Sequence, residues 1–143
     1  MRTVEHFHAY RWIGQRATLD REDGVRRTPM DSADPAVRSS PFPPFRMCDY
    51  LLKPAGQICI TTTTVGDAVE WLAKQFDELA PSLAHPGRLG PDPRTSLVEE
   101  AVRYLHYADS VSRGYWLIGE RYAALAVVHC PDFHAPHYPC PAS

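Results

Sequence analysis

The amino-acid sequence predicts a mainly α-helical chain. It would be built on an antiparallel pair of helices over about 65–80 and 96–129, the second with a kink allowed at Gly114, preceded by a largely irregular N-terminal arm. Three observations predict it. The 14 prolines avoid two windows, 55–80 and 94–130, and a proline inside a helix removes a hydrogen bond and clashes with the preceding turn at roughly 3 kcal/mol. In the first window apolar residues recur with helical period at Val65, Ala68, Val69, Leu72, Ala73, Phe76, Leu79 and Ala80. In the second a stripe runs through Leu97, Ala101, Tyr104, Ala108, Val111, Tyr115, Ile118, Tyr122, Leu125 and His129 with spacings of four and three in alternation, as in a heptad seam.

In chain order, residues 1–16 contain Phe7, Tyr10, Trp12 and Ile13, enough apolar surface to dock on something, whereas 20–47 is charged and then rich in Pro, Ser and Asp. That composition reads as a linker. Met30 opens a stretch that would serve as a start in its own right, so 1–29 is a candidate extension outside the fold. The segment Pro41-Phe42-Pro43-Pro44-Phe45 favours polyproline II, either as a proline-recognition motif or as a stiff linker with its phenylalanines tucked in. The domain division that follows is 1–47 as arm and linker, 48–130 as a helical core, and 131–143 as a tail rich in Pro, His and Cys.

Residues 57–63 are β-branched enough for a short strand or extended lead-in. Thr64 and Asp67 have capping-box spacing, and Pro81 ends the first helix. Ser96 and Glu99 have the same spacing at the start of the second. The seam crosses Gly114 in phase, which favours one long helix, and His129 would close it where the helix dipole favours an imidazolium. The run 124–130 also fits a buried strand, since a short apolar run cannot be typed by periodicity. The alternative fold is therefore α+β with short strands near 57–63 and 124–130.

A net charge of −2 argues against a nucleic-acid partner. No apolar run reaches the length of a membrane span, and the charged first residues lack the apolar stretch of a signal peptide. A cytoplasmic protein with reduced cysteines is expected. No phosphate-binding glycine loop, nucleophile elbow or dinucleotide fingerprint is present, and Cys48 and Cys59 have no sequence context for nucleophilic catalysis. No catalytic residue is assigned.

The one dense cluster of metal-ligand types is in the tail. Cys130, His134, His137 and Cys140 form a candidate zinc set, with His129 as an alternative fourth ligand, and the prolines between them stiffen the loop. His6 and His8 lie on one face if that segment is extended, and join such a site only if the arm returns to the tail. The functional expectation is a non-enzymatic, self-associating or protein-binding module using Tyr104, Val111, Tyr115, Ile118 and Tyr122 as its interaction face, with no cofactor. The alternative is a module stabilised by zinc through the tail cluster.

Overall fold

The computed structural model describes residues 5–27 and 35–142. It is an α+β fold around a four-stranded antiparallel sheet, which overturns the mainly α-helical expectation. The strands are β1 (His6–Gln15), β2 (Ile60–Thr62), β3 (Val111–Leu117) and β4 (Arg121–Cys130), in the order β2-β1-β4-β3. Short helices α1 (Arg16–Arg21), α2 (Asp23–Arg27) and α3 (Pro35–Ser39) follow β1, and two longer ones, α4 (Val65–Leu79) and α5 (Pro93–His106), lie between β2 and β3.

The arm is not irregular. β1 pairs along its whole length with β4, from His6 opposite Cys130 to Gln15 opposite Arg121, and on its other side with β2. Its period of two is hidden in the sequence because both faces are buried near its start: Phe7 and Ala9 join the helix-side core, His8 and Tyr10 the opposite side. The candidate extension 1–29 therefore contains a central strand. Met30 itself lies outside the described residues.

The first long helix falls where its period places it, with Thr64 Oγ1 accepting the Asp67 backbone N–H. The second is much shorter. It begins at Pro93 with Asp92 as its cap, not Ser96, and stops at His106. There Ala108 N–H donates to Leu105 O and Asp109 N–H to Tyr104 O, with Ala108 at φ 59°. This is the Schellman arrangement made without glycine. The rest of the supposed helix is the β3–β4 hairpin, turned by Gly119 and Glu120 at φ 83° and 59°. Gly114 is no kink: it sits in β3, where a Cβ would collide with the Tyr122 phenol. The two short segments of the α+β alternative do hold strands, over 60–62 and within 121–130.

The sheet lies between two layers. On one face α4 and α5 bury Leu72, Phe76, Leu97, Ala101 and Leu105 against Phe7, Ala9, Leu125 and Val127. Arg94 at the start of α5 holds Asp77 near the end of α4 with two hydrogen bonds. On the other face Tyr50 and Leu51, from a 3-10 turn over Met47–Leu52, and Ala135 and Tyr138 of the tail cover Tyr10, Ala126, Val128 and Cys130. The Pro41–Pro44 segment packs back on the fold, with Phe42 against Trp12 and Phe45 under Arg26 and Arg27. No helix among the described residues is long and apolar enough to cross a membrane.

Candidate metal centre

Strand geometry assembles the site. Residues two apart on a strand share a face, so His6 and His8 both look toward the tail side of the sheet. The register of β1 on β4 puts Cys130 directly opposite His6. The tail then crosses this end of the sheet, anchored by buried Ala135 and Tyr138, and delivers Cys140. The ligand atoms of His6, His8, Cys130 and Cys140 all lie within 4.8 Å of one another. His8 and Cys130 are buried, while His6 and Cys140 are half-buried.

Three of these atoms form a triangle. His6 Nε2 is 3.0 Å from His8 Nε2, His8 Nε2 is 3.4 Å from Cys140 Sγ, and Cys140 Sγ is 3.5 Å from His6 Nε2. Hydrogen bonds are directional, and a donor aimed at one corner of such a triangle cannot serve the other. A cation behind the triangle serves all three corners at once. Zinc bonds of about 2.0–2.1 Å to nitrogen and about 2.3 Å to sulfur require ligand atoms roughly 3.3–3.8 Å apart along the edges of the tetrahedron. The two sulfur–nitrogen edges already meet this, and the nitrogen pair has only to open by about 0.3 Å.

The surroundings fit the same chemistry. His8 Nδ1 is 2.8 Å from Thr61 Oγ1 in β2. With the proton on Nδ1, the hydroxyl accepts it and Nε2 presents its lone pair to the cluster, the support that a metal-ligating histidine normally has. Burial, reinforced by His6, lowers the His8 pKa to about 4, so its ring is neutral near pH 7. Burial and then Cys140 push the Cys130 thiol up to about 12. Without a cation this sulfur holds its proton, and a bound metal would displace it. The Tyr10 hydroxyl is buried with no hydrogen-bond partner among the described residues, and it lies within electrostatic reach of Cys130 and Cys140. A donor stranded beside two thiols fits an environment that expects thiolates.

The predicted ligand set divides. Cys130 and Cys140 join the cluster, whereas His134 and His137 are exposed on the wall of a separate cavity of about 480 Å³ with Arg46, Cys48 and Asp132. The tail is the reason: Asp132 Oδ1 accepts the backbone N–H groups of His134 and Ala135, and burial of Asp132, Ala135 and Tyr138 turns the two imidazoles outward. His129 faces the helix side of the sheet, packed on Phe7 with Nδ1 2.7 Å from Pro131 O. It ends a strand and not a helix.

The five residues of the predicted interaction face do not share a helix. Tyr104 is on α5, Val111 and Tyr115 are buried in β3, and Ile118 and Tyr122 flank the hairpin turn, Ile118 exposed. His6 and His8 were legible only as a conditional pair, since nothing local tied the arm to the tail. No protein-family model, no curated protein and no solved structure matches the chain.

Proposed function

We propose that this protein is a zinc-binding module whose metal is structural, held by His6, His8, Cys130 and Cys140. The triangle of two imidazole nitrogens and one thiol sulfur, at 3.0, 3.4 and 3.5 Å, carries the reading. Four protein ligands fill a tetrahedral ion and leave no position for water or substrate, which favours a structural over a catalytic role. The ion would tie the first strand to the end of β4 and to the tail. A reducing, cytoplasmic setting suits four cysteines that form no disulfide.

The test is metal analysis of protein purified without a histidine tag. About one zinc per chain is expected, together with a fall in Tm on chelation. His6→Ala and Cys130→Ser should lose the metal, while His134→Ala and His137→Ala should keep it. Less than about one-tenth equivalent, with no uptake of added zinc, overturns the proposal.

Self-association is a second reading, favoured by the edge position of β3, which residues 82–84 cover only at its Trp116–Ile118 end, and by the exposed side chains of Trp116 and Ile118. Sedimentation at high protein concentration decides it, and a strict monomer ends it.

A further inference from the structure

We propose that Cys130 and Cys140 are a reversible oxidation site: a peroxide joins them as a disulfide and thereby expels the metal. The inference rests on the metal reading above and names a regulation of that centre.

The two sulfurs belong to one cluster and lie within 4.8 Å of each other, so pairing them requires side-chain rotation and not a search by the chain. Their accessibility differs. Cys140 is half-buried at the outside of the tail, and Cys130 is 2% exposed beneath it. An oxidant therefore meets Cys140 first, and Cys130 is the neighbour placed to resolve the product. The remaining cysteines are set apart from this group, with Cys48 held beside Arg46 and Asp49 and Cys59 exposed.

The chemistry balances. The Cys140 thiolate attacks one peroxide oxygen, the O–O bond breaks, and the departing hydroxide takes a proton to leave as water. The Cys130 thiolate then attacks the Cys140 sulfenic sulfur, the S–S bond forms, and a second hydroxide leaves as water. Two thiolates lose two electrons, and one peroxide becomes two waters with two protons taken from solvent. Of the four donors only the imidazoles of His6 and His8 are left, and the ion departs hydrated. The segment between the cysteines stays closed in both states, by the metal in one and by the disulfide in the other. Buried Ala135 and Tyr138 keep it on the sheet. Oxidation thus unclasps the start of β1 from the tail without freeing the tail.

The experiment treats the zinc-loaded full chain with hydrogen peroxide, alongside a Cys48→Ser/Cys59→Ser form that removes competing thiols. Zinc is read with a chromogenic chelator, and disulfides by peptide mapping. A 130–140 bridge formed in step with release of about one zinc per bridge is expected, with both reversed by dithiothreitol and added zinc. Cys130→Ser should halt at a sulfenic acid on Cys140 that dimedone traps. Zinc retained with Cys140 unmodified, or zinc released without a 130–140 bridge, overturns the inference while leaving the metal reading intact. A bridge in a chain that takes up no zinc overturns the metal reading and the coupled release together.

Discussion

Two buried polar side chains outside the ligand set make separable predictions. Tyr10 stacks on Tyr50, with ring centroids 4.6 Å apart, while its hydroxyl lacks a partner among the described residues. Burying an unpaired hydroxyl costs roughly 1–3 kcal/mol. Tyr10→Phe should therefore leave the metal-free Tm unchanged or raised. If the hydroxyl donates to a metal-bound thiolate, the same change weakens zinc binding by about tenfold; competition with a chelator of known affinity reads this, and an unchanged affinity removes the hydroxyl from the centre. Lys53 is the second case. Its ammonium is buried, donates to Ser40 O, and burial lowers its pKa to about 8 against Asp49, which raises it. Below that pH the folded chain carries a charge it disfavours. Between about 8 and 10.5 the unfolded chain holds more of this proton, so stability from this group rises with pH. Wild type should gain on Lys53→Met across that interval in chemical denaturation, and parallel curves would contradict the assignment.

At the scale of elements, the first long helix was legible because cap, period and stop agree: Thr64 caps it, one face is apolar, and Pro81 follows. The second was misread because its stop signal is absent. A left-handed residue ends it at Ala108, where glycine would have marked the boundary. With no mark, the four-three spacing runs on into a hairpin whose inward residues Val111, Tyr115 and Leu125 happen to keep the phase. The same residue makes a prediction. Ala108→Gly relieves a strained φ and should stabilise the protein by up to about 1 kcal/mol, visible as a higher urea midpoint at unchanged m-value. No gain would mean that the freedom glycine adds to the unfolded chain cancels the relief. β1 escaped for another reason: alternation is a signal only when one face is wet, and His8 and Tyr10 are as buried as Phe7 and Ala9.

For the whole molecule, the consequence is that the first and last strands are central. β1 and β4 form the middle of the sheet and each has a neighbour on both sides. A truncation beginning at Met30 deletes β1, strips the pairing partner from β2 and exposes one face of the helix-side core. Loss of cooperative unfolding is expected by circular dichroism and calorimetry, and a truncated chain melting near the wild-type Tm would show the strand to be dispensable. By itself the sequence determined what depends on neighbours in the chain: the 65–79 helix, its cap and stop, the proline-rich connections, and the enrichment of the tail in ligand-type residues. Only the tertiary structure decided the centre. Ligand spacing within one segment can be read locally, and it pointed to His134 and His137. The donors that converge come instead from positions 6, 8, 130 and 140. The first three are joined by the register of two strands more than a hundred residues apart, which is set by which faces the sheet buries, and the fourth is brought to them by the tail's own packing on that face.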